Sequence, residues 1–244
     1  MTIISSDTED GGEAVGAQSP AGVSNATVTV WGDFTCPWSY LAWQRTELLA
    51  DAGVPIDWRT VEHDPWHHLT PDDVSDRHQA LQSEMPEVLG HLLPGERLPY
   101  TLPRGVPFTG AATSAYAEAY AAGVARPVRR RLFGAFWRDG VDLNNARVLQ
   151  VMLVADLRRG TSTSELVQHW GYAVDVTGGP ITAQAWQAIR DWREQWQEAS
   201  GVTPTLLAGG GDPVVGVAAV DWLGAQVRER GLLRDDRGHD HPAA

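Results

Sequence analysis

The chain holds one cysteine, Cys36, and no lysine; all 19 of its basic residues are arginine. A single cysteine excludes an internal disulfide and a zinc cage built on thiolates. The missing lysine excludes a Schiff-base mechanism. Long apolar runs are absent as well, and no stretch approaches the ~20 residues of a membrane span. Positive charge is scarce. Against 31 acidic residues the formal net charge is −12, which argues against nucleic acid or an anionic membrane as partner. Residues 1–26 carry no Lys or Arg and no apolar core, so they do not read as a secretory leader. Their Gly, Ser and Ala content marks a disordered tail. The expectation from these absences is a cytoplasmic protein.

What is present suffices for one large domain or two small ones: 244 residues, 43% of them hydrophobic. Thr27 to Trp31 is rich in β-branched residues and reads as a strand. Pro37 to Asp51 reads as a helix, with Thr35 as a plausible cap and Pro37 in its first turn. Its apolar stripe of Leu41, Leu48, Leu49 and Ala52 is interrupted by Arg45. Ile56 to Val61 is a second strand, so the unit is long enough for a parallel crossover. His63 to Gly110 carries seven prolines and reads as loop and broken helix, lid-like, with one helical piece near Asp73 to Leu93. Helical patterns follow over Ala111–Ala122, Pro127–Arg138, Asn145–Arg158 and Ser164–Trp170. Thr182 to Ala199 forms another helix, with Trp186, Ile189, Trp192 and Trp196 on its apolar face. Gly201 to Leu207 leads into a strand, a Gly209–Pro213 turn reverses the chain into Val214–Val217, and Val220–Arg230 reads as a closing helix.

Cys36 sits where the first strand hands over to the first helix. Unpartnered N–H groups and the positive end of the macrodipole gather there, and both favour thiolate, the nucleophilic form. A depressed pKa is therefore expected for Cys36. Ser39 stands three residues on, at the spacing of a second redox cysteine. It has no sulfur, so two-thiol turnover within the chain is excluded, but its hydroxyl is placed to hydrogen-bond the thiolate.

The order of elements resembles the DsbA-like branch of the thioredoxin superfamily, in which an all-helical segment interrupts a thioredoxin fold. Three stretches carry the likeness: Asp33-Phe34-Thr35-Cys36-Pro37-Trp38-Ser39-Tyr40-Leu41, similar to a Cys-Pro-Trp-Cys-Tyr-Leu site with its last cysteine lost; Trp58 to Glu62; and Gly201-Val202-Thr203-Pro204-Thr205, similar to the branch's Gly-Val-x-Pro-Thr loop. The same branch includes 2-hydroxychromene-2-carboxylate isomerases and kappa-class glutathione transferases, whose Ser-Pro-Tyr-Ser-Tyr-Leu site this one also resembles. The resemblance implies an α/β thioredoxin-like fold with an inserted all-helical domain. The chain then divides into a disordered tail (1–26), the first part of the thioredoxin-like domain (27–62), a helical insertion (63–180), the second part (181–231) and a second tail (232–244).

For the site, the resemblance implies Cys36 and Ser39 as the catalytic pair. Pro37, Trp38, Thr203 and Pro204 would face the substrate, with a cis Thr203–Pro204 bond opposite the sulfur. Monothiol exchange with a protein or small-molecule disulfide follows, with no bound cofactor and with a small thiol such as glutathione or mycothiol as co-substrate. The alternatives are a small-thiol-dependent isomerase or transferase, with Trp66 and Phe108 as pocket walls, and a redox-inactive binding protein. His63, Asp64, His67 and His68 lack the spacing of a metal set and read as a solvated loop, and His239 and His241 as tail. Arg129-Arg130-Arg131 reads as a solvated helix face rather than an anion patch. Eleven tryptophans suit packing, Trp137 and Trp170 included, and a surplus suits a pocket or a homodimer face.

Overall fold

The computed structural model describes residues 26–62, 71–99 and 105–233. The expected tails up to residue 25 and from 234, the cluster His63, Asp64, Trp66, His67 and His68, and the tail histidines lie outside them. The elements run β1 (Val28–Gly32), α1 (Pro37–Asp51), β2 (Ile56–Thr60), α2 (Pro71–Gly90), α3 (Gly110–Ala121), α4 (Ala125–Trp137), α5 (Ala146–Leu157), α6 (Glu165–Gln168), α7 (Ala183–Ala199), β3 (Thr205–Ala208), β4 (Val214–Val215) and α8 (Gly216–Glu229). The sheet order is β2-β1-β3-β4. β1 pairs parallel with β2, Val30 opposite Trp58, and antiparallel with β3, Val30 opposite Leu206. This is the mixed α/β fold expected, with helices α2 to α6 set between β2 and α7.

The helical segment is not a separate body hung on the sheet. Phe133 of α4 is fully buried, and its ring lies 5.0 Å from Phe34, 5.0 Å from Trp43 and 5.6 Å from Trp58. Tyr116 of α3 donates its hydroxyl proton to the Trp58 carbonyl at 3.0 Å. One continuous apolar core therefore joins α3 and α4 to β1, α1 and β2. α2 runs through Pro86, which is exposed, so the helix loses one backbone hydrogen bond on its solvent side.

Several side chains sit elsewhere than the sequence pattern suggests. Arg45 does not interrupt a stripe; it is 1% exposed and clamps three elements. It donates to Glu96 Oε1 at 2.7 Å and Oε2 at 2.9 Å, to Val220 O at 2.6 Å and to His91 O at 2.5 Å. Of the run Arg129–Arg131, Arg130 and Arg131 are exposed as expected, while Arg129 is buried, and all three are paired. Arg129 and Arg130 reach Glu47 of α1 at 2.5 and 2.7 Å, and Arg131 reaches Asp156 of α5 at 2.6 Å. Trp192 and Trp196 are buried, but Trp186 is 60% and Trp170 is 54% exposed, so neither of these two serves the packing expected of it. α8 begins at Gly216, four residues before the expected start, and Leu232 and Leu233 still pack on the core.

Candidate active site

β1 ends on Gly32 because a larger residue has no room: a Cβ there would lie 2.5 Å from the Trp58 ring. The chain then turns at Asp33. The Asp33 carboxylate accepts from the Thr35 N–H at 2.8 Å and from its hydroxyl at 2.9 Å, an Asx turn. Thr35 is thus engaged with Asp33 and does not cap α1. Cys36 itself is the N-cap, in extended conformation, with Pro37 as the first helical residue. Its sulfur takes the place of the usual capping oxygen and accepts the Ser39 N–H at 3.4 Å.

The second half of the site comes from 167 residues downstream. Gly201, at φ +67°, turns the chain out of α7. The Val202 carbonyl accepts from Trp196 Nε1–H at 2.7 Å and from the Thr205 hydroxyl at 2.6 Å. The Thr203–Pro204 bond is cis, and the Pro204 carbonyl accepts the Gly216 N–H at 2.8 Å. A loop held on both sides in this way brings the Thr203 carbonyl oxygen to 3.7 Å from Cys36 Sγ, which donates to it.

The electrostatics run against the expected activation. Burial pushes the Cys36 thiol up from 9.0 to about 11. Hydrogen bonds from the Ser39 hydroxyl and N–H, and one involving Thr203, pull it down without prevailing, while the Glu84 carboxylate on α2 pushes further up. The helix terminus is present, but a sulfur with little water around it pays more for the negative charge than these donors return. Cys36 as a whole residue is only partly buried.

Of the other residues singled out, Ser39 is fully buried, and its hydroxyl accepts the Asp33 N–H at 3.2 Å. Pro37 and Trp38 are buried too, and the Trp38 ring meets His91 edge-on at 5.3 Å. Phe108 is part of the wall of a cavity beyond Glu62, beneath the Arg77 guanidinium. Several residues to which the sequence assigned no role in the site support it. Trp137 Nε1–H donates to the Phe34 carbonyl at 2.9 Å, and the Thr109 hydroxyl to Asp33 at 3.3 Å, so the helical segment holds the loop that carries Cys36. Glu62 caps α3, accepting the N–H groups of Thr109 and Gly110 at 3.1 Å each. Burial first, and the Asp33 charge second, raise its pKa. Only the acidic residue closing each of the first two strands could have hinted at Asp33 and Glu62. Among the described residues no group of three metal-ligating side chains is assembled, and no helix is long and apolar enough to cross a membrane.

A half-buried cysteine on the N-cap of the first helix, faced by a cis-proline loop on a four-stranded mixed sheet, defines a thioredoxin-like protein. The DSBA-like thioredoxin domain model matches residues 27–168, more than half of the chain, and the protein belongs to that family. Solved structures share the fold at low identity. A disulfide reductase, DsbM, of Pseudomonas aeruginosa is 16% identical at a TM-score of 0.54, over 83% of this chain and 99% of its own. A 2-hydroxychromene-2-carboxylate isomerase is 14% identical at 0.53, over 86% and 100%. A probable DsbA oxidoreductase of Streptomyces coelicolor is 15% identical at 0.53, over 90% and 95%. No curated protein matches the chain by sequence.

Proposed function

We propose that the protein carries out monothiol thiol–disulfide exchange at Cys36, acting on a protein disulfide or one capped by a small thiol. The observation that carries this reading is the position of Cys36: a partly buried residue on the N-cap of α1, its sulfur 3.7 Å from the Thr203 carbonyl. Deprotonated Cys36 attacks one sulfur of the substrate disulfide. A bond forms between Cys36 Sγ and that sulfur, and the other sulfur leaves as thiolate. Ser39 cannot resolve the mixed disulfide. An external thiol, of the glutathione or mycothiol type, therefore attacks it and returns Cys36 as thiolate. The Ser39 N–H stabilises the sulfur's charge at both stages, and Thr203 offers its backbone to an extended substrate segment once the sulfur releases its carbonyl. Thiol exchange without a partner cysteine suits a reducing compartment, in keeping with a cytoplasmic site of action.

One observation favours a second reading. Cys36 Sγ donates to the Thr203 carbonyl at 3.7 Å, and burial pushes the thiol up to about 11, so at rest it serves as a hydrogen-bond donor rather than a nucleophile. In a small-thiol-dependent isomerase or transferase, Cys36 would orient the bound thiol instead of attacking. Incubation with an oxidised small-thiol disulfide, followed by intact-mass measurement, separates the two. Exchange at Cys36 gives one adduct, absent in Cys36→Ser; an unmodified chain with isomerase activity retained in Cys36→Ser supports the second.

A further inference from the structure

The large apolar side chains that stay exposed are concentrated in one stretch of the chain. Of eleven such residues among the described ones, six fall between α5 and the turn that follows α6: Val148, Val151, Leu166, Trp170, Tyr172 and Val176. Val151 is 73% and Trp170 is 54% exposed. A single exposed apolar residue needs no explanation, but a clustered set marks a surface that meets something.

Five of the six make one continuous face. Arg147, Val151, Val154 and Arg158 follow one another along α5 at helical spacing and form a stripe. The chain after α6 runs beside it. Gly171, at φ +72°, lies so close that a Cβ on it would come within 2.8 Å of Val154 Cγ2 and 2.9 Å of Arg158 Cγ. Gln150 Nε2 donates to the Val174 carbonyl at 3.0 Å, and the Tyr172 N–H to the Leu166 carbonyl at 2.9 Å. Leu166, Trp170 and Tyr172 therefore make a ridge along one flank of the stripe. On its other flank Val141, Val148, Val151 and Met152 wall an apolar hollow of about 460 Å³.

Charge follows the same division. Arg147 lines the hollow, and Glu165 opens α6 beside the ridge. Both are exposed, and neither has a partner of opposite sign among the described residues. A face that carries a projecting indole and an apolar hollow, with an unpaired charge of each sign, complements itself when a second copy is turned against it about a two-fold axis. The mixed charge also relieves, at the contact, the mutual repulsion that a formal net charge of −12 imposes on two copies. We infer that the protein forms a two-fold homodimer through this face, with Trp170 of each copy seated in the hollow of the other and Glu165 set against Arg147. Cys36 belongs neither to α5 nor to the ridge, so the inference does not depend on the chemistry at the thiol.

The test is sedimentation velocity of the full chain over a range of concentrations. A species of twice the chain mass is expected, dissociating on dilution. Trp170→Glu and Val151→Glu, both at exposed positions, should raise the dissociation constant by about thirtyfold or more, as loss of an interface anchor does. Circular dichroism checks each, and whichever keeps the natural spectrum carries the test. Glu165→Arg and Arg147→Glu should each weaken association several-fold, and the two together should restore it. Restoration distinguishes a pair formed across the axis from a local effect within one copy. A chain that stays monomeric up to millimolar concentration leaves the face to some other protein and would overturn the inference. So would a dimer whose dissociation constant ignores Trp170→Glu and Val151→Glu, or a charge swap that leaves association as weak as in the single variants.

Discussion

The first turn of α1 and its middle bury polar groups on different terms. Cys36 is a neutral thiol with two long sulfur contacts, one from the Ser39 N–H at 3.4 Å and one to the Thr203 carbonyl at 3.7 Å. Two turns further on, Arg45 and Glu47 carry full charges out of water and are met at short range. Arg45 is met by both oxygens of Glu96 and two backbone carbonyls, and Glu47 by Arg126, Arg129 and Arg130. Buried charge persists only where geometry compensates its lost hydration, so the middle of α1 is fixed by structure. A neutral thiol can remain under-solvated with weak partners and give them up when a substrate arrives. Dense pairing marks the part of the helix that holds the fold, and sparse pairing the part left for chemistry.

That contrast can be broken by experiment, and the largest effect belongs to the charged half. Arg45→Leu leaves the Glu96 carboxylate buried, with the Leu93 N–H as its one remaining hydrogen-bond donor among the described residues. A loss of about 3–5 kcal/mol in unfolding free energy is expected in denaturant melts; a loss below about 1 kcal/mol would show that water reaches Glu96. Gly32→Ala drives a methyl into the Trp58 ring beneath the thiol loop and should cost about 1–3 kcal/mol by overpacking, read in the same melts.

A smaller effect follows from pH. The native thiol holds its proton up to about 11, whereas the unfolded one releases it near 9.0. The folded state therefore binds more protons in that window, and stability falls as pH rises from about 9 to about 11. Tyr40 and Tyr116 are also raised by burial and act in the same direction. The informative quantity is the difference between the natural chain and Cys36→Ser, which should show a shallower decline. Serine caps α1 well, so at neutral pH the two should melt alike. The smallest effect is expected from Glu84→Gln: removing the carboxylate that opposes the thiolate should lower the Cys36 pKa by a fraction of a unit and speed its alkylation modestly.

The strands and helices that could be read from the sequence are those whose pattern is local. The β-branched run of β1, the proline opening α1 and the glycine after α7 each act through neighbours in the chain. Cys36 and the Thr203–Pro204 loop were legible because both lie in short stretches with a family likeness. Arg45 read as a flaw because its partner Glu96 is 51 residues away, and Arg129 read as solvated because Glu47 is 82 residues away. Trp186 shares the helical spacing of Trp192 and Trp196, yet only those two meet the core; which turn of an amphipathic helix is covered depends on where the neighbouring elements end. The direction of the Cys36 shift was missed for a related reason. The helix terminus can be read from position, but the burial that outweighs it comes from tertiary packing, with Thr203, 167 residues away, among the groups that meet the sulfur.

The most direct test of this account is the rate at which iodoacetamide alkylates Cys36 as a function of pH, followed by intact mass in the one-cysteine chain. A rate still climbing beyond the free-thiol value of ~8.5 toward about 11, and absent in Cys36→Ser, is the predicted result. A plateau reached below that free-thiol value would show a thiolate already formed at rest and would contradict the account of burial at this site.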